Sequence, residues 1–171
     1  PGIGQFIQLM RIMQGLRGGG GAVRGFNVPG RSVSVPLGAA RAEELARLGI
    51  GSYQISLDGP QEVHDTTRLR ADGGGSFGRI WRNLLSIRDS AVEVRVLLRL
   101  HLTPSNLPFM REFASRVRDT FLGDSRFSVH FKAVERLGGP HDEELEVLAQ
   151  EVRSQAQEEL GALVRTEGAI D

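Results

Sequence analysis

The chain of 171 residues contains no cysteine. Disulfides, thiolate chemistry and any cysteine-ligated metal or cluster held by this chain itself are therefore excluded. Lysine is nearly absent too: Lys132 stands alone, so almost all the positive charge is guanidinium. Lys+Arg and Asp+Glu both number 21, which leaves no net field to draw in nucleic acid or an acidic membrane surface. No apolar run approaches the length of a membrane span, and no charged start with an apolar stretch behind it marks a signal peptide. These absences predict a cytoplasmic protein with neither nucleic acid nor a membrane as partner. The four His, at 64, 101, 130 and 141, lack a metal-ligand spacing such as His-x-x-x-His, so no metal site is expected.

What is present is ordinary for a globular domain, with 40% apolar and 25% charged residues. The chain is long enough for one domain with a proper core. Ile3, Phe6, Ile7, Met10, Met13 and Leu16 lie at helical spacing, and a Gly-rich linker follows to Gly30. A short strand is expected over 32–35 and a helix over 39–48, with Gly49 as its stop. A strand over 51–58 comes next and gives way at Gly59-Pro60 to a loop carrying Glu62, His64, Asp65 and Arg68. Ser76 is placed to cap a helix running to about Asp89. Strict alternation predicts a strand over 92–102, then a helix from Asn106 to about Thr120, with Pro108 tolerated in its first turn. A last strand is expected over 127–133, and an acidic helix from about Asp142 to Leu160.

Strands separated by whole helices run parallel, because each crossover returns the chain to the same end of the sheet. Buried parallel strands normally read as unbroken apolar runs. Here three successive strands each carry a polar face: Gln54, Ser56 and Asp58; then Arg95, Arg99 and His101; then Ser128, His130 and Lys132. The crossover helices need the apolar face, so the polar faces look the other way. Burying those charges unpaired would cost several kcal/mol each. They therefore line an open, wet cavity suited to a zwitterionic or anionic small ligand, or they face solvent or another chain.

Asp58, at the carboxyl end of its strand, is the residue best placed to touch a ligand. Ser56 lacks a Gly-x-Ser-x-Gly elbow and reads as a hydrogen-bonding group rather than a nucleophile. Asp65 and Arg68, three apart, are expected to pair with each other and pin the loop. Gln54, Arg99, His101 and His130 are the candidate substrate-cavity residues.

The motifs Ile-Ser-Leu-Asp-Gly-Pro, Val-His-Asp-Thr-Thr-Arg and Gly-Ser-Phe-Gly-Arg-Ile, with the later Leu-Arg-Leu-His-Leu-Thr-Pro-Ser-Asn, resemble radical S-adenosylmethionine enzymes. The branch is the peptide-maturing one that carries a SPASM domain. The resemblance covers about residues 39–140 and is most specific from Ser56 to Arg68. It implies an α/β fold, a TIM-barrel-like partial (β/α) barrel of parallel strands, with about four of that core's six βα units in this chain. It implies that Ser56, Asp58, Arg68 and Asn106 serve S-adenosylmethionine binding, with His64, Asp65 and Arg68 fixing the loop over the site. The family chemistry is reductive cleavage of S-adenosylmethionine by a [4Fe–4S] cluster, then hydrogen abstraction from a peptide substrate.

The chain departs from the family pattern in having no Cys-x-x-x-Cys-x-x-Cys loop and no Gly-Gly-Glu. Val35-Pro36-Leu37-Gly38 stands where a Thr-Asn-Gly would end a strand. The domain reading is a poorly matching, Gly-rich segment over 1–38, a partial radical S-adenosylmethionine core over 39–140, and a C-terminal helix and tail over 141–171. With Pro1 at its start, the chain is expected to be a fragment, inactive alone and lacking N- and C-terminal segments of the full enzyme. The rival expectations are a non-catalytic peptide- or nucleotide-binding descendant and an unrelated βα-repeat hydrolase or lyase. No acid/base pair stands out to support the last of these.

Overall fold

The computed structural model describes residues 37–70, 72–136 and 146–165. The expected helix over 3–16, the Gly-rich linker and the strand over 32–35 lie outside them. The order observed is α1 (Ala39–Arg47), β1 (Ser52–Leu57), α2 (Gln61–Thr67), α3 (Phe77–Arg88), β2 (Arg95–Leu102), α4 (Leu107–Phe121), β3 (Phe127–Ala133) and α5 (Gln150–Arg165). The three strands form one open parallel sheet in the order β1-β2-β3. The described residues fall into two compact units. One holds Tyr53 and the stretch before it together with Arg79–Arg95; the other holds Gln54–Gly78 and the chain from Val96 onward.

In the first unit, Ala42 and Leu45 of α1 are buried, with Trp81, Leu84 and Ile87 of α3. Gly49, at φ 83°, ends α1 in the left-handed region that glycine adopts without a Cβ penalty. The hydroxyl of Ser86 accepts the first N–H of α1, from Ala39, at 3.0 Å.

In the second unit, β2 shows the alternation most sharply: Val96, Leu98, Leu100 and Leu102 are fully buried, while Leu97, Arg99 and His101 are partly exposed. Each such buried aliphatic side chain contributes about 1.5–3 kcal/mol of transfer free energy. On α4, Met110, Phe113, Ala114, Val117 and Phe121 recur at helical spacing and are all buried. Phe121 stacks on Phe127 at the start of β3, with ring centroids 5.1 Å apart. α5 packs against α4 and β3. It is held by Gln157 donating to the Phe131 carbonyl at 3.0 Å and by an Arg153–Glu135 ion pair at 2.7 Å.

The pairing of β2 with β3 sets Leu97 beside Ser128, Arg99 beside His130 and His101 beside Lys132. One face of the sheet is therefore polar across neighbouring strands, as the alternation predicts.

Several expectations are corrected. The stretch after Gly59-Pro60 is a short helix, α2, and not a loop. Its only aliphatic side chain is Val63, so it carries no periodic apolar signal; Pro60 supplies the fixed φ that starts it. β2 begins at Arg95 rather than residue 92, where the Arg95 N–H meets the Gly51 carbonyl at 2.7 Å and pairing becomes available. α5 begins at Gln150. Residues 146–149 are not helical and bury no side chain, while Ala156 and Leu160 do. The acidic residues 142–144 lie outside the described residues.

Candidate functional site

The carboxyl ends of β1 and β2 converge on Asp58. Its carboxylate takes Arg68 in a fork, Nε to Oδ2 at 2.5 Å and Nη2 to Oδ1 at 3.2 Å. The His101 Nδ1 lies 2.8 Å from the same Oδ1, and Thr67 Oγ1 lies 3.4 Å from Oδ2. Arg68 Nη2 is also 3.3 Å from His101 Nδ1. A guanidinium only donates, so the shorter contact decides: His101 Nδ1–H and Arg68 both donate to Asp58. Burial alone would raise the Asp58 pKa. The hydrogen bonds from His101 and Arg68 and the guanidinium charge outweigh it and hold this carboxyl well below the usual range. Asp58 is therefore a fixed anion, already neutralised by its partners. It orients His101 so that the ring's Nε2 is the nitrogen left to face away from the carboxylate.

Asn106 lies beneath, only 2% exposed. Its Nδ2 donates to the carbonyls of Asp58 and His101, both at 2.9 Å, and its Oδ1 accepts the Thr103 N–H at 2.9 Å. The whole amide is thus spent tying the end of β1 to the end of β2. Such a stitch satisfies backbone polar groups at the two strand ends.

The expected Asp65–Arg68 pair does not form. Asp65 Oδ1 instead accepts the N–H groups of Ser76 and Phe77, at 2.8 and 2.9 Å, and so caps α3 from a distance in sequence. Ser76 does not use its side chain as the cap. Its hydroxyl donates to the Arg68 carbonyl at 2.6 Å and meets His64 Nε2 at 3.0 Å. His64 is completely buried, and its Nδ1 accepts the Asp58 N–H at 3.2 Å. Gly75 permits the close approach of Asp65, since a Cβ there would lie 2.1 Å from Oδ2.

The structure brings Asp58, Arg68, His101 and Asn106 together. Gln54, Ser56, Arg99 and His130 are not in that hydrogen-bonded cluster; they lie on the polar sheet face. Alternation sets Ser56 on the face of Asp58, and the Asp58–His101 contact sets that face beside Arg99. Gln54 and His130 are exposed, Ser56 and Arg99 half-buried. Among the described residues no acceptor reaches Arg99 Nε, although that atom is buried. Leaving a buried donor of a charged group unpaired costs about 1–3 kcal/mol or more; Arg70 Nε is in the same condition. Two concavities among the described residues, about 630 and 710 Å³, are lined by α1 and the stretch from Asn83 to Glu93. Neither includes any of these face residues.

Sequence reasoning missed the roles of Ser76 and Thr67. The Gly-Ser-Phe start of α3 drew attention to Ser76 as a cap, and nothing local showed that a distant Asp65 would take that task.

A [4Fe–4S] cluster does not fit this chain: it has no thiolate, and among the described residues no group of three His, Asp or Glu could hold a metal ion. The donor set on the sheet face does fit a zwitterion such as S-adenosylmethionine, with Arg99 for a carboxylate and Ser56 and Gln54 as neutral hydrogen-bonding groups. No helix among the described residues is long and apolar enough to cross a membrane. In comparisons with family models, curated proteins and solved structures, nothing matches the chain.

Proposed function

We propose that the polar sheet face binds S-adenosylmethionine, and that this chain is part of a radical S-adenosylmethionine enzyme acting on a peptide. The fold would be a partial (β/α) barrel whose open side is this face. The observation that carries the reading is the Arg99 guanidinium, half-buried on the central strand with Nε unpaired. It would pair the α-carboxylate of the ligand. Ser56, on the neighbouring strand, would hydrogen-bond the methionyl part. Asp58, Arg68 and Asn106 act on the ligand by holding the two strand ends in register, and His101 presents its Nε2.

Bound S-adenosylmethionine supplies a 5′-deoxyadenosyl group in the family the motifs resemble. The cluster that drives this would have to be held by residues outside this sequence, so the chain alone binds without reacting. The same absence of Cys favours a second reading, a non-catalytic descendant that keeps the binding face for a peptide or nucleotide.

Calorimetric titration tests the proposal. S-adenosylmethionine and S-adenosylhomocysteine, which both carry the carboxylate, should bind; 5′-methylthioadenosine, which lacks it, should bind at least about tenfold more weakly. Equal affinity for all three would remove Arg99 from the account. No binding of any would remove the ligand.

A further inference from the structure

We infer that His64 is the positioning residue of the Asp58 site and that only its neutral, Nε2-protonated form can hold that site together. The Ser76 hydroxyl has one proton, and it goes to the Arg68 carbonyl at 2.6 Å. Toward His64 Nε2, at 3.0 Å, Ser76 can therefore only accept, so Nε2 carries the hydrogen. At the other nitrogen the Asp58 N–H points at Nδ1 from 3.2 Å, so Nδ1 must keep its lone pair. Both ring nitrogens are committed, and together they specify a single tautomer.

One imidazole thus joins three parts of the site. It holds the backbone of Asp58, whose carboxylate anchors Arg68 and His101. Through Ser76 it holds the carbonyl of Arg68, and it packs edge-on against Phe77 with centroids 5.7 Å apart. Protonating Nδ1 would set two donors face to face between His64 and Asp58. The link would open at the residue that orders Arg68 and His101.

The charged groups acting on the ring come from each element around it. Asp58, beyond β1, and Asp65, on α2 itself, favour the cation; Arg68, after α2, opposes it. From α4, Arg116 lies 6.0 Å from the Phe77 ring centroid. Burial outweighs the two carboxylates and keeps the His64 pKa below its ordinary 6.5. Above about pH 6.5 the open and closed forms are both neutral; below it the open form binds a proton that the closed form refuses. The closed form is therefore favoured at neutral pH and loses ground as pH falls from 6.5 toward the depressed value.

The test reads the ligand-free chain first. Long-range ¹H–¹⁵N spectra should show His64 as the Nε2–H tautomer. Exchange of the Asp58 amide, corrected for its intrinsic rate, should reveal an opening constant that rises by up to about tenfold per pH unit below about 6.5. His64→Gln offers an acceptor and a donor on a side chain that does not titrate. It should keep Asp58 protected at pH 7 and flatten the slope, with His101 and its contact to Asp58 left in place. An Nδ1–H tautomer, a flat wild-type profile, or a slope retained in His64→Gln would each overturn the inference. The wild-type measurements decide it even if the variant fails to fold.

The ligand arm rests on the proposed binding reading: S-adenosylmethionine affinity should fall below pH 6.5 in the wild type and not in His64→Gln. Failure to bind at any pH would overturn that reading, and the exchange slope would still decide the role of His64.

Discussion

Gly75→Ala should destabilise the fold through Asp65 rather than through its own backbone. An ideal Cβ at position 75 would lie 2.1 Å from Asp65 Oδ2 and 2.4 Å from Cγ. Ordinary contact begins near 3.4 Å, so the carboxylate must retreat by roughly 1.3 Å. That retreat breaks the bonds from Oδ1 to the Ser76 and Phe77 N–H groups, at 2.8 and 2.9 Å. Losing an N-terminal cap costs about 0.5–2 kcal/mol, and both donors sit on buried residues, so the upper end, about 2 kcal/mol, is expected. The pairing gives a sharper test than the single value. Asp65→Ala alone should cost a similar amount, because it removes the same two bonds. In the Asp65→Ala background Gly75→Ala should be nearly neutral, since the obstructing carboxylate has gone and alanine restricts the unfolded chain. Urea denaturation of the four proteins gives the cycle, with an expected coupling of about 1.5–2 kcal/mol. If Gly75→Ala costs as much without Asp65 as with it, the carboxylate approach is not the reason glycine stands there.

Asn106→Leu should cost about 2–4 kcal/mol, measured by denaturant midpoint, because it strands the Asp58 and His101 carbonyls and the Thr103 N–H at once. Asp58→Asn should leave Arg68 without its forked partner and shift the acid limb of the stability curve. With the Asp58 pKa depressed in the folded state, its contribution is complete above about pH 4 and is lost as pH falls below that. Acid titration followed by circular dichroism should show the wild type losing this margin and Asp58→Asn having none to lose. Incubation with iron and sulfide should leave no stable cluster absorbance, because the chain offers no thiolate.

Legibility in the sequence followed the strength of periodic signals. β3 is readable to its bounds because Phe127, Val129 and Phe131 alternate with polar residues and a Leu-Gly-Gly-Pro stretch follows it. The polar face shared by Arg99 and His130 followed from the same period of two, and the register bears it out. α2 was not readable, since a seven-residue helix with one aliphatic side chain has no period to detect. The partners of charged groups were the least legible. Spacing suggested Asp65 with Arg68, yet Arg68 reaches ten residues back to Asp58 and Asp65 reaches forward to the start of α3. Local proximity proposes pairs; the fold chooses among them by which backbone donors would otherwise go unmet. Asn106 shows the same limit. Its position after Thr-Pro-Ser was recognisable, but its amide turned out to serve two strand ends that only the tertiary structure brings together.

The central claim is that the sheet face around Arg99 binds S-adenosylmethionine. Amide chemical-shift mapping of the ¹⁵N-labelled chain with added S-adenosylmethionine tests it most directly. Saturable shifts are expected at Ser56, Asp58, Arg99 and His101 in the wild type, and their loss in Arg99→Ala. Shifts confined to other residues, or the same shifts in Arg99→Ala, would contradict it.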